Sequence, residues 1–142
     1  MRSLIFLSCL LLTVAGCKSE EPAHPIVGKW QWTESIGGFT GGMTVRPQPS
    51  ERLILQFTNN GTFSLSLNDT VGVSGTYRLA AIRSIYKGAD APGIYLENVV
   101  YKKPYIFPGF QYQMVLMLVN QSKLELADNA NDGYGCSLTR TD

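Results

Sequence analysis

The sequence has few of the residues that most catalytic and metal sites need. Among its 142 residues are one histidine and three cysteines, which leaves little material for a metal cluster or a disulfide scaffold. Charge is sparse and balanced, because 12 Lys and Arg face 11 Asp and Glu for a formal net charge of +1. Domains that bind nucleic acid normally carry a strong positive excess, so we expect no nucleic-acid partner.

The sequence also lacks an apolar run long enough to span a membrane as a helix, although a shorter run lies at the N-terminus. Arg2 precedes an apolar stretch at residues 4–14, and the small residues Ala15 and Gly16 follow it. This layout is typical of a secretory signal peptide, which is removed from the mature protein. The remaining chain is long enough for one domain, and its 44% hydrophobic content is too high for disorder.

The end of this segment, VAGC at residues 14–17, resembles the bacterial lipobox. The resemblance implies cleavage after Gly16 and attachment of several acyl chains at Cys17, which together anchor the protein to a membrane. Lys18 follows, where an aspartate would resemble the inner-membrane retention signal. We therefore expect the outer membrane of a Gram-negative bacterium, with exposure at the cell surface as an open alternative. The chain then has three parts: a signal peptide (1–16), a lipidated cysteine with a flexible tether (17–25) and a folded domain (26–142).

Cysteine and histidine positions argue against catalysis. Cys9 leaves with the signal peptide and Cys17 carries lipid, so Cys136 has no disulfide partner in the mature chain. A lone thiol is most often a small buried apolar side chain. Because His24 lies in the tether, the folded domain has no histidine. We expect no catalytic residues, no metal and no cofactor.

From residue 28 onward, apolar and polar residues alternate with a period of two. Two alternating runs, residues 53–57 and 63–67, flank an Asn-Asn-Gly turn at 59–61, which is a strong hairpin signal. About eight such strands with short connections predict an all-β, antiparallel, up-and-down β-barrel, since closure removes exposed strand edges. The inward-facing set would be Trp30, Leu55, Phe57, Phe63, Leu65, Tyr77, Leu79, Leu96, Met114, Leu116, Leu124 and Leu138. These large side chains predict a crowded interior.

The two ends of this pattern resemble the lipocalin family. Gly28-Lys29-Trp30 opens the first strand and Arg140 lies near the end of the last. In lipocalins, a G-x-W tryptophan plugs the closed end of the barrel and an arginine packs across it. The resemblance thus implies a structural, barrel-closing role for Gly28, Trp30 and Arg140. The stretch GKWQWTESIGGF is also similar to the start of fatty-acid-binding proteins. With the lipobox, the chain resembles a bacterial lipocalin-like lipoprotein, although it lacks the T-D-Y motif and the disulfide.

We expect a non-catalytic module that binds a small apolar or amphipathic ligand in the barrel. The candidate ligand mouth comprises Phe39, Met43, Trp32 and Tyr77. The glycine-rich segment 36–50 is either a lid over that mouth or an ordinary loop, and segment 102–110 is typical of a portal or a packing arm. The alternative function is protein interaction or a structural role, such as envelope assembly or enzyme inhibition, through the outer face.

An apolar interaction patch is predicted around residues 112–119 (YQMVLMLV), which are apolar on both faces. The patch comprises Val99, Tyr101, Val115, Met117 and Val119. Large exposed apolar patches are uncommon, so something should cover this one. A partner protein or the membrane could do so, but we expect the protein's own segment 104–110 to fold onto Met117, because packing within the chain costs less ordering entropy than recruitment.

Overall fold

A computed structural model describes residues 23–141, in which there are nine strands and no helix. The strands are β1 (Gly28–Gly37), β2 (Met43–Val45), β3 (Leu53–Phe57), β4 (Thr62–Leu67), β5 (Thr70–Ser84), β6 (Ala89–Tyr101), β7 (Gln113–Val119), β8 (Lys123–Asp128) and β9 (Tyr134–Thr141). No helix capable of crossing a membrane occurs in this part of the chain. The predicted signal peptide, Cys17 and most of the tether lie outside it.

Eight of the strands form a closed, antiparallel, up-and-down barrel, and this confirms the fold predicted from the alternation. Neighbours pair in the order β1-β3-β4-β5-β6-β7-β8-β9, and β9 pairs back onto β1. The extra strand, β2, pairs with the end of β1 beyond β3, from Ser35↔Val45 to Gly37↔Met43. Tight polar turns make this order possible. In the β4–β5 turn, Asn68 and Asp69 both have positive φ (47° and 65°), as a type I′ hairpin requires.

Inward-facing side chains fill the barrel with one continuous core. Ten of the twelve residues predicted to face inward are buried, and Tyr77 is half-buried. Leu79 is the exception, with 37% of its surface exposed. Its burial was predicted wrongly because β5 and β6 are longer than the alternation indicated, and their far ends leave the barrel wall.

The β5–β6 hairpin crosses the outside of the barrel. Beyond the Gly93↔Val115 pair it separates from β7, and its residues Ile82 and Ala91 bury Val115 from the outer side. The hairpin tip is attached to the β8–β9 turn. The Ile85 amide donates to Asn129 Oδ1 (2.9 Å), and the Tyr86 hydroxyl donates to the Asp128 carbonyl (2.7 Å). This hairpin, and not the segment 104–110, covers Val115.

A β-bulge in β7 reverses the predicted facing of its second half. Leu116 pairs with Leu126 and Leu118 pairs with Glu125, so Met117 is an extra residue without a partner. One inserted residue moves every later side chain to the opposite face. Val119 therefore packs against the core, and its predicted outward orientation is wrong.

A second bulge has the same effect in β6. Ser74 pairs with Val100 and Thr76 with Glu97, which leaves Asn98 and Val99 opposite a single residue of β5. Asn98 takes a positive φ of 50°, which asparagine tolerates better than most residues. Val99 consequently packs against the core, and its predicted place on the outer face is also wrong.

Candidate functional site at the barrel mouth

One end of the barrel, here called the Trp30 end, is closed by strand residues and the turn that precedes β1. The Trp30 indole donates to the Ile26 carbonyl (2.7 Å), and both side chains are fully buried. The Arg140 guanidinium lies 4.1 Å from the centre of the Trp30 ring and donates to the carbonyls of Val27 (2.9 Å) and Pro25 (2.7 Å). A Cβ on Gly28 would lie 2.1 Å from Arg140 Nη1, so only glycine fits there. Gly28, Trp30 and Arg140 thus lie together.

The opposite end, here called the mouth, is filled by an irregular segment. This segment, the mouth arm (residues 102–112), joins β6 to β7 and forms no strand of its own. Phe107 stacks on Trp32 with ring centres 5.3 Å apart and planes 13° from parallel. Phe110 lies 5.5 Å from Phe107 and 6.3 Å from Phe63. The two phenylalanines are buried and form the mouth side of the barrel core.

Few hydrogen bonds attach the mouth arm to the barrel. The buried Ser35 hydroxyl accepts from the Trp32 indole (2.9 Å) and donates to the Pro108 carbonyl (2.5 Å). At the start of the arm, the amides of residues 102 and 103 both donate to the Gly72 carbonyl, at 2.7 and 3.0 Å. At the end of the arm, the Leu96 amide of β6 donates to the Tyr112 carbonyl (2.8 Å). The part between these attachments has no strand ladder and is held mainly by aromatic packing.

A cavity of about 360 Å³ adjoins the mouth arm. Its apolar walls include Trp32, Leu53 and Ile106, and Arg46 and Glu51 supply charge. The Arg46 guanidinium is itself paired with Glu34, 2.7 Å away. Small-molecule sites typically combine apolar walls with a few polar groups at this volume.

The four residues predicted to form the ligand mouth do not form one site. Trp32 lies at the mouth as described, whereas Phe39 is 88% exposed on the β1–β2 loop. Met43 is also exposed, with its sulfur 4.0 Å from the Tyr134 hydroxyl. Tyr77 lies at the Trp30 end, where its ring meets the edge of Phe57. It is there because β5 runs from the mouth to the other end.

Sequence reasoning missed the residues that close the mouth. Phe107 and Phe110 were noted only as part of a packing arm, and Ser35 was not singled out. The available signal was the cluster of aromatic residues around Pro104 and Pro108 in a segment without alternation. Ser35 pairs with Cys136 on β9, and both side chains are buried.

A second concave surface, the outer groove, lies outside the barrel over β8 and β9. It has a volume of about 430 Å³ and is walled by Ile36, Tyr86 and Met117. Its floor consists of small residues, among them Ala127 and Gly135. A Cβ on Gly135 would make contacts no closer than 3.9 Å, so the floor has room for a side chain.

The predicted interaction patch is dispersed among several environments. Val115 is covered by the β5–β6 hairpin, and Val99 and Val119 pack against the core. Met117 is 41% exposed and lines the outer groove. Tyr101 is half exposed, and its pKa is raised to about 12 by the neighbouring Tyr112 hydroxyl and by burial. These five residues do not share one surface.

The titratable groups offer little chemistry. Burial raises the pKa of the Cys136 thiol to about 12, which leaves it protonated and unreactive near neutral pH. Burial also raises the pKa of Asp128, against the opposing effect of a hydrogen bond from the Tyr134 amide. Within residues 23–141 no three His, Cys, Asp or Glu side chains lie close enough together to hold a metal ion.

Comparison with known proteins yields no relative. No family model matches the chain, and neither a curated protein nor a solved structure matches it.

Proposed function

We propose that this protein is an exported, lipid-anchored, non-catalytic binding protein with a lipocalin-like barrel. Its ligand is a small apolar or amphipathic molecule that enters at the mouth and takes the place of the mouth arm. The anchor is lipid on Cys17, and the location is the outer membrane. Mass spectrometry of the protein from the membrane fraction tests the anchor. Acyl chains on residue 17 are expected, and a Cys17→Ser variant should leave the membrane fraction.

The observation that carries the ligand proposal is the way in which the mouth is closed. Phe107 and Phe110 fill it from a segment that has no strand ladder, beside a cavity with apolar walls. Loops positioned at the end of a rigid scaffold often carry binding residues. A ligand with a planar aromatic ring could replace Phe107 against Trp32, since aromatic pairs gain about 0.5–1.5 kcal/mol beyond simple burial.

Displacement of the arm lowers the apparent affinity for any ligand. A site that is open in only a fraction of molecules binds with an affinity reduced by that fraction. The arm would therefore select ligands large enough to compensate for the lost phenylalanine contacts.

A reversible lock on the mouth arm tests this proposal. Gly109 lies against β9, and a Cβ there would be 3.4 Å from both Cβ and Sγ of Cys136. This is close to disulfide geometry, so a Gly109→Cys variant refolded under oxidising conditions, where Cys136 is accessible before it is buried, should form a 109–136 disulfide. We expect the oxidised variant to lose binding of the apolar fluorophore N-phenyl-1-naphthylamine, and the reduced variant to keep it. The reduced form is the control for backbone strain, because Gly109 has a φ of 91°.

A variant that loosens the mouth arm tests the opposite effect on binding. Tyr105 packs on Gly72, where a Cβ would lie 2.4 Å from the tyrosine ring. Gly72→Ala should push this ring away and strengthen fluorophore binding. If binding is equal in the locked and unlocked forms, or absent from the wild-type protein, the mouth is not the ligand site.

The outer groove favours a second candidate function, in which a partner protein binds outside the barrel. Exposed apolar side chains lie around it, among them Ile36, Tyr86 and Met117. A Cβ at position 135 makes no close contact, so a Gly135→Phe substitution would place a bulky side chain on the groove floor. The matched control is Thr139→Phe, on the same face of β9 and outside the groove. Loss of a co-purifying partner in the first variant alone would support this function, and equal recovery in both would exclude it.

A further inference from the structure

The barrel wall has its fewest paired residues between β6 and β7. Three residue pairs join these strands, from Gly93↔Val115 to Tyr95↔Gln113, although β6 is 13 residues long and β7 is seven. Beyond those pairs the β5–β6 hairpin turns away across the outer face. The part of β6 before Gly93 and the part of β7 after Val115 therefore form no ladder with each other.

A lateral cleft of about 480 Å³ lies along this gap. Its walls are apolar and include Leu79, Ala81, Ala91 and Leu116. His24 and Asp90 are the polar side chains on its rim. Leu79, in its wall, is also partly exposed to solvent. An exposed apolar side chain in an apolar cleft is typical of a surface that meets a ligand or a membrane.

The position of the tether indicates what covers this cleft. His24 lines the cleft and follows Cys17 by seven positions in the chain. These seven positions limit the distance between residues 17 and 24 to about 25 Å. If Cys17 carries lipid, as the proposed function holds, the cleft is never farther than this from the bilayer surface.

We propose that the lateral cleft docks on the bilayer and takes up one acyl chain of a membrane phospholipid. The apolar walls match a hydrocarbon chain, and the polar rim at His24 and Asp90 lies where the headgroup would be. Attachment through Cys17 raises the effective concentration of lipid at the cleft, so even weak docking is populated. The docked cleft adds to the anchor a second contact that fixes the orientation of the barrel.

Site-specific labelling of the lipidated chain in vesicles tests this inference. Ala81→Cys labelled with bimane reports from the cleft wall, and Ala89→Cys reports from an exposed position on the same hairpin outside the cleft. The native Cys136 is buried and should stay unlabelled. In vesicles of phosphatidylethanolamine and phosphatidylglycerol with brominated acyl chains, we expect bimane emission at residue 81 to be at least halved. Emission at residue 89 should not change.

The outcomes separate this inference from the proposed function. Quenching at residue 81 alone supports the cleft as the lipid contact. Equal emission changes at both positions, or no change at either in protein that floats with the vesicles, overturn the inference and leave the lipid anchor intact. Failure of the protein to float would overturn the anchor, and the inference with it.

Discussion

The two ends of the barrel are closed by different means. At the Trp30 end, Trp30 and Arg140 belong to paired strands, and their hydrogen bonds reach the turn that begins β1. At the mouth, Phe107 and Phe110 come from a segment with no strand pairing, although they are buried as well as the strand residues are. Burial alone therefore does not show whether a side chain that closes one end of the barrel is fixed there or can be displaced. The distinction lies in the backbone that carries the side chain.

The largest effect is expected from the Trp30 end. Trp30→Ala removes a fully buried ring from a rigid setting, and should lower the free energy of unfolding by about 3–5 kcal/mol. Urea denaturation measures this loss. Trp30→Phe is the control, since it retains most of the volume but loses the bond to Ile26, and an intermediate loss is expected. A loss for Trp30→Ala no greater than that of Trp30→Phe would refute rigid closure at this end.

A smaller effect is expected at the mouth. Phe107→Ala should lower the free energy of unfolding by about 2 kcal/mol, below the usual range for phenylalanine, because the unpaired arm can relax into the space. Phe107→Leu removes less side-chain volume, so its free energy of unfolding should fall by less than that of Phe107→Ala. A loss equal to that of Trp30→Ala would show that both ends are held alike and would remove the basis for a displaceable arm.

A substitution of Arg140 tests how much this side chain contributes to closure of the Trp30 end. Arg140→Lys keeps the charge but cannot reproduce the flat contact with Trp30 or the forked bonds to Val27 and Pro25. The expected loss in free energy of unfolding is about 1 kcal/mol by thermal or urea denaturation. Fluorophore binding at the mouth should stay unchanged. Altered binding would mean that the two ends are coupled.

The smallest effect concerns Asp128, in the turn that receives the β5–β6 hairpin. Because burial raises its pKa in the folded state, the ionised carboxylate is disfavoured there relative to the unfolded chain. Because of this residue, the free energy of unfolding should fall as the pH rises from the ordinary pKa of an aspartate to the raised pKa of Asp128 in the folded protein. Asp128→Asn keeps an acceptor for the Tyr134 amide and should remove this part of the pH dependence. Identical pH profiles for wild type and variant would contradict this expectation.

The sequence predicted the strands well because alternation directly reflects a barrel wall with one buried face. It could not predict the facing of Val99 and Val119, because a bulge is defined by the partner strand and leaves no mark on periodicity. The covering of Val115 was assigned to the wrong segment for a related reason. The far half of the β5–β6 hairpin has no clear alternation, so its length was underestimated and the mouth arm was expected outside the barrel.

Native-state hydrogen exchange of the wild-type protein tests the central claim most directly. The amides of Lys102, Lys103 and Phe110 are hydrogen-bonded within or beside the mouth arm, and Trp30 lies in a strand paired on both sides. We predict that the arm amides exchange through a local opening, with a free energy well below that of global unfolding, while the Trp30 amide exchanges only with global unfolding. Equal opening free energies for the arm and for Trp30 would contradict a displaceable mouth arm.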